Sequence, residues 1–177
     1  MLSDLMNAVT GYRKPTGKHQ RVKFKNGRAL YIAYGSNLNT RHMASRCPAA
    51  QRVGSSALHG FQLVFRGVAD IEWTGQADHI AGVGVWSITP RCLRALDRYE
   101  GCPSLYRREI VTCYIDGEHI EGVTYMMNQV GYKSPFADYV RTIERGFDDF
   151  ALNRDLLNDA IERSGGALAT NSGKYTH

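Results

Sequence analysis

ALYIAYGSNLNTRHMASR, residues 29–46, changes character twice. Leu30-Tyr31-Ile32-Ala33-Tyr34 is an apolar run of β-favouring residues. Gly35-Ser36-Asn37 breaks it, and Thr40–Arg46 reads as a short helix ending before Pro48. A strand that stops on a glycine and two small polar residues, just ahead of a helix, allows two readings. Ser36, Asn37 or Asn39 could do no more than cap the helix. Alternatively, successive backbone N–H groups in the turn, with the positive end of the helix behind them, could cradle a carboxylate or a developing oxyanion. The turn is short and lacks the lysine pattern of a phosphate-binding loop, which speaks against nucleotide phosphate as the anion.

Outward from this stretch, Ala57–Gly67, Ile80–Thr89, Arg107–Asp116 and His119–Asn128 are strand candidates, the last two joined by an Asp116-Gly117-Glu118 hairpin signal. Glycines inside these strands (Gly60, Gly82, Gly84, Gly122) point to bulges, bends or close backbone approach. Three further helices are expected. One has Thr89 as its cap, Pro90 in its first position and Gly101 at its end; one runs from Ser134-Pro135 to Gly146; one runs from Asn153 to Gly165-Gly166. Antiparallel strands with helices inserted between them predict an α+β domain with a curled or closed sheet over residues 29–163. A basic, loosely held extension (1–28) and a C-terminal tail (164–177) flank it.

The chain has 177 residues, enough for one domain with a real core. No window approaches about 18 uninterrupted apolar residues, so no transmembrane helix is expected. The first residues, MLSDLMNAVTGYRK, lack the long apolar region of a signal peptide, and a cytoplasmic location is expected. Cys47, Cys92, Cys102 and Cys113 form no CxxC pair and read as free thiols. The histidines are equally scattered, so neither a metal nor another cofactor is expected. The sequence carries no sign of oligomeric state.

The net charge of +5 conceals a division. Residues 1–69 hold 11 Lys and Arg against one acid, Asp4, whereas residues 70–177 hold 11 against 16 acids. The densest segment, Arg13 to Arg28, has seven cations and no acid. Its plain reading is a solvated basic lead-in; its sharper reading is an electrostatic footprint. Tyr12 just ahead of it and Phe24 within it are its only Tyr, Phe or Trp rings, too few for a single-strand stacking platform. Nucleic-acid contact through residues 13–28 is therefore a secondary expectation.

Glu100 is the most informative side chain. On a wheel of about 100° per residue, the helix from Pro90 collects Cys92, Leu93, Leu96 and Tyr99 on one face, and Glu100 falls between Leu93 and Leu96. A carboxyl group is thus placed in the inward stripe, at the end of the helix where the dipole disfavours an anion. Burial and dipole both raise its proton affinity, as general acid–base chemistry near neutral pH requires. The alternative is a frayed helix end with Glu100 in water or paired with Arg107 or Arg108.

These residues also carry a family resemblance. Tyr34-Gly35-Ser36-Asn37-Leu38 after a short strand resembles the signature loop of the γ-glutamylcyclotransferase family, the AIG2-like group. The similarity continues through VGVWSIT (residues 83–89) and LDRYEG (residues 96–101), where the family carries its catalytic glutamate, and through YKSPFADYVRTIERG (residues 132–146). It covers roughly Ala29 to Ile161. The resemblance implies a small closed or strongly curled, mainly antiparallel β-barrel with flanking helices. It implies an enzyme that releases an amine from a small-molecule γ-glutamyl amide by forming 5-oxoproline. Carried over residue by residue, Glu100 is the acid–base group, Tyr34, Gly35, Ser36, Asn37 and Leu38 bind substrate, and Tyr106 and Tyr125 are pocket tyrosines. The basic extension departs from the family pattern.

That chemistry suits the residues. A γ-glutamyl group brings its own nucleophile, the α-amine, so neither a Ser or Cys nucleophile nor a metal is needed. Two rivals from other classes are a binding module that holds a carboxylate without turning it over, and a thiol hydrolase using Cys47 with His42 or Cys102 beside Glu100.

Overall fold

A computed structural model describes residues 12–166. The strands among these residues are β1 (Ala29–Ala33), β2 (Gln51–His59), β3 (Phe61–Phe65), β4 (Ala69–Trp73), β5 (Ile80–Ile88), β6 (Tyr106–Ile115) and β7 (Glu118–Met127). A 3-10 turn, Ser36–Leu38, follows β1. The α-helices are α1 (Thr40–Arg46), α2 (Pro90–Tyr99), α3 (Ala137–Asp149) and α4 (Arg154–Arg163). No described helix is long and apolar enough to cross a membrane.

Five strands form a mixed sheet of order β2-β5-β1-β7-β6, and β3 and β4 make a separate hairpin. β1 is the middle strand, antiparallel to β5 and parallel to β7. Covered on both sides and both faces, it needs no polar alternation, which is why it reads as a continuous apolar run. The sheet is α+β in class but is not a closed barrel. β2 and β6 are its two edges, and among the described residues they share no backbone ladder. Curvature still brings them together: the Ser56 hydroxyl donates to the Tyr114 carbonyl at 2.7 Å and accepts from the Tyr114 N–H at 3.2 Å. Side-chain bonds substitute locally for the missing ladder.

Other expectations were corrected by particular residues. Ala57–Gly67 is not one strand: Gly60, at φ +79°, turns the chain so that β2 pairs with β5 and β3 with β4. β4, not among the expected strands, alternates Ala69, Ile71 and Trp73 with Asp70 and Glu72, and Arg66 answers both acids, at 2.8 and 3.4 Å. α3 begins at Ala137 rather than Ser134-Pro135, and it continues through Gly146 to Asp149. That glycine marks a close approach, not a helix end. A Cβ there would lie 2.5 Å from the Leu38 Cβ and 2.8 Å from the Asn39 nitrogen, so glycine is what lets α3 lie against the turn after β1.

The described part of the basic segment lies on β6. The fully buried Glu109 carboxylate accepts from the Thr16 N–H and hydroxyl, both at 3.0 Å, and from the Gly17 N–H at 2.7 Å. Gln20 then brackets the strand, its N–H donating to the Arg108 carbonyl and its side-chain oxygen accepting from the Ile110 N–H. Val22 and Phe24 pack against the core, while Arg21, Lys23 and Lys25 face solvent. The period-two alternation of this stretch is that of a strand edge.

Candidate active site

The opening stretch contains a helix cap and, separately, residues that line a cavity. Asn39 is the cap of α1, its side-chain oxygen accepting from the His42 N–H at 3.1 Å. Ser36 and Asn37 are thereby left for other work, and both line a cavity of about 480 Å³. Tyr34, Gly35, Glu100, Tyr106 and Tyr125 line it too, whereas Leu38 is fully buried beneath Gly146 and is not among its lining residues. The Gly35 backbone passes close to the wall, where a Cβ would lie 3.1 Å from that of Ala69.

Glu100 is fixed at the end of α2 by backbone geometry. Thr89 caps the start of the helix, and Gly101, at φ +60°, ends it. The Cys102 N–H donates to the Asp97 carbonyl and the Gly101 N–H to the Arg98 carbonyl, the paired bonds of a Schellman motif. The last turn therefore does not fray. Arg107 pairs with Glu109 and Arg108 with Asp97, so neither arginine draws Glu100 outward. Its carboxyl instead accepts from the Asn37 side-chain amide at 3.2 Å. Burial pushes its pKa up to about 7, partly offset by the Arg46 charge and the Asn37 hydrogen bond.

The tyrosines have distinct tasks. Tyr34 donates to the Tyr125 carbonyl at 2.6 Å, and Tyr106 donates to the Ala69 carbonyl at 2.7 Å. Tyr125 donates to Asp97 at 2.7 Å. Burial raises the pKa of all three, so they stay neutral. Cys47 is buried, its pKa pushed up to about 12 by burial, which leaves it no thiolate to attack with. Burial also raises the pKa of Cys102. Among the described residues, no group of three or more His, Cys, Asp and Glu side chains is arranged to hold a metal ion.

Several lining residues were not picked out from the sequence: Tyr31, Arg46, Tyr99 and Tyr139. Tyr31 accepts from Asn37 at 2.9 Å, and Tyr139 accepts from the Ala69 N–H at 3.0 Å. Arg46 donates to the Asn37 side-chain oxygen at 2.6 Å and lies 3.6 Å above the centre of the Tyr99 ring. The one available signal was its place in the last turn of a helix directly after the turn, which reads just as well as a favourable dipole contact. The cavity therefore has a turn of small residues on one side, a carboxyl whose pKa burial has pushed up to about 7 beside it, and tyrosine hydroxyls around both.

The sequence profile of the family described as "Gamma-glutamyl cyclotransferase, AIG2-like" matches residues 31–144, which include the turn, Glu100 and most of the cavity wall. The chain is 31% identical to proteins named gamma-glutamylcyclotransferase from Bos taurus and from Homo sapiens. Each match extends over 130 residues and covers 66% of this chain and 69% of the relative. Among solved structures, one named gamma-glutamyl cyclotransferase superposes with a TM-score of 0.68 at 24% identity, covering 83% of this chain and 92% of that one. That likeness shows a shared fold.

Proposed function

The chain belongs to the γ-glutamyl cyclotransferase, AIG2-like family, and from that premise we propose that it is an enzyme that cyclises the γ-glutamyl group of a small-molecule amide to 5-oxoproline, with Glu100 as general acid and base. The observation that carries this reading is the placement of Glu100: a carboxyl with a pKa near 7, inside the cavity, hydrogen-bonded to the turn through Asn37.

The chemistry balances without another reactant. The Glu100 carboxylate takes a proton from the substrate α-ammonium. The freed amine attacks the γ-carbonyl carbon and closes a five-membered ring. The γ-oxygen becomes an oxyanion, which backbone N–H groups at the start of the turn stabilise. As the oxyanion collapses to the lactam carbonyl and the C–N bond to the leaving amine breaks, protonated Glu100 gives its proton to that nitrogen. The regenerated carboxylate then takes the second proton from the ring nitrogen and passes it to the amine, which departs as an ammonium ion. A carboxyl with a pKa near 7 serves both halves, since neither transfer is strongly uphill near neutral pH. Neutral tyrosine hydroxyls around the cavity hold the substrate chain folded, converting attack into an intramolecular step of fixed geometry.

Incubation with a panel of γ-glutamyl amides tests the reading: γ-glutamyl amino acids, γ-glutamyl-ε-lysine, glutathione and a γ-glutamyl alkylamide. Release of 5-oxoproline from at least one supports it. Saturable binding with no 5-oxoproline from any of them would identify a binding module instead.

A further inference from the structure

We propose that Arg46 is a positioning residue of this site: it locks the Asn37 side chain with its oxygen toward the guanidinium and its NH2 toward Tyr31 and Glu100, so that the carboxyl is held in a single orientation and charge balance. The inference rests on the reading of Glu100 as the acid–base group and extends it to a residue outside the signature turn.

The chemistry of the groups decides the orientation. An asparagine amide fits the same space two ways round, related by exchange of its oxygen and nitrogen. A guanidinium has donors and no acceptor. Arg46 stands 2.6 Å from one end of the amide, so that end must be the oxygen. The NH2 is then committed to the other side, where it meets the Tyr31 hydroxyl at 2.9 Å and Glu100 at 3.2 Å. Without Arg46 both orientations become available, and one of them points an oxygen at a carboxyl, which repels its ionised form.

Arg46 is itself held tightly. Its Nη1 also donates to the Ser36 hydroxyl at 3.2 Å, and its Nη2 lies 3.5 Å from His42 Nδ1 one turn back on α1. The guanidinium stacks on Tyr99, whose hydroxyl is 3.3 Å from that of Ser36. Glu100 is faced by Tyr31 from β1, Tyr34 just after β1, Tyr106 from β6, Tyr139 from α3 and Arg46 from α1. Burial keeps these four hydroxyls neutral, and Arg46 brings the positive charge. Its charge and the donor it orients both favour ionised Glu100. A lysine would keep the charge but could not reproduce the flat, stacked, forked contact.

The test compares the wild type with Arg46→Met and Arg46→Lys. The Glu100 carboxyl is titrated by carbon-13 NMR, assigned with Glu100→Gln, and kcat/KM against pH is measured on the best γ-glutamyl amide. For Arg46→Met, the carboxyl midpoint and the rising limb of kcat/KM should move together to higher pH, by about one unit or more. Arg46→Lys should fall between Met and wild type. An unmoved midpoint with a higher KM alone, or with uniformly lower activity, overturns the proposal and makes Arg46 a substrate contact or a structural brace. A midpoint that moves while the activity limb stays put upholds the positioning role and sinks the assignment of Glu100 instead. Should neither variant fold, the Asn37 NH2 resonance of the wild-type protein decides. It should shift as Glu100 ionises, and a resonance constant from about pH 5 to 9 overturns the proposal.

Discussion

The Asn37 side chain donates to the Glu100 carboxyl across 3.2 Å, joining a turn at the end of the central strand to the residue that caps the end of α2, 63 positions away. Each partner is held by its own backbone device. The asparagine sits in a 3-10 turn released from capping duty by Asn39, and the glutamate sits in a helix end closed by Gly101. Chemistry at the site depends on both devices at once.

The first consequence concerns pH. Glu100 must be ionised to accept the α-ammonium proton, and burial has pushed its pKa up to about 7. The rate kcat/KM should therefore rise with pH and level off above neutrality. Stability should run the other way. The unfolded chain releases this proton near pH 4.5 and the folded chain holds it until about 7, so between these values the folded state binds more protons and its stability falls as pH rises. Urea melts should show this decline for the wild type and a smaller one for Glu100→Gln. Equal pH dependence in the two proteins would mean that Glu100 is not the buried, neutral group described.

Gly35→Val should raise KM for the γ-glutamyl amide several-fold with a smaller effect on kcat. The new side chain would press on Ala69 and on the Tyr139 hydroxyl, both at the cavity wall. Steady-state kinetics check this, and an unchanged KM would remove the turn backbone from substrate binding.

Gly146→Ala should destabilise the fold by about 1–3 kcal/mol, the usual range for overpacking a tight contact. Its Cβ would collide with Leu38 and the Asn39 backbone, forcing α3 away from the turn. Activity should fall along with stability because the turn moves. Thermal melts and turnover measured on one preparation test both halves, and a normal melting temperature would show that α3 has room to spare.

Much of this arrangement was legible in the sequence because local chemistry specified it. Thr89-Pro90 and Gly101 bound α2, Asp116-Gly117 turns β6 into β7, and Glu100 shows itself by occupying an apolar stripe. Features that depend on distant partners were not legible. β4 carries two acids that look exposed until Arg66 folds over them, and Gly146 looks like a helix stop until Leu38 is packed against it. Arg46 looks like an ordinary cation at a helix end, because its role exists only once α1 has turned back onto Asn37. Closure of the sheet was also beyond local signals, since it turns on whether two edge strands form a ladder or meet through a single serine.

The segment along β6 carries its own prediction. Glu109 is fully buried and accepts from Thr16, Gly17 and Arg107. Glu109→Ala leaves those donors unmatched and should cost about 1–3 kcal/mol. It should also loosen the backbone around Lys18, already solvent-facing, enough for trypsin to cleave after it. Limited proteolysis reads this directly, and cleavage no faster than in the wild type would show that Gln20, Val22 and Phe24 hold the segment unaided.

The account stands on Glu100, and the most direct measurement is 5-oxoproline release by Glu100→Gln beside the wild type, with substrate affinity determined in parallel. The amide keeps the shape and a hydrogen bond to Asn37 but cannot carry the proton. Turnover should fall by at least about a hundredfold while affinity changes only a few-fold; turnover within a few-fold of the wild type would contradict the central claim.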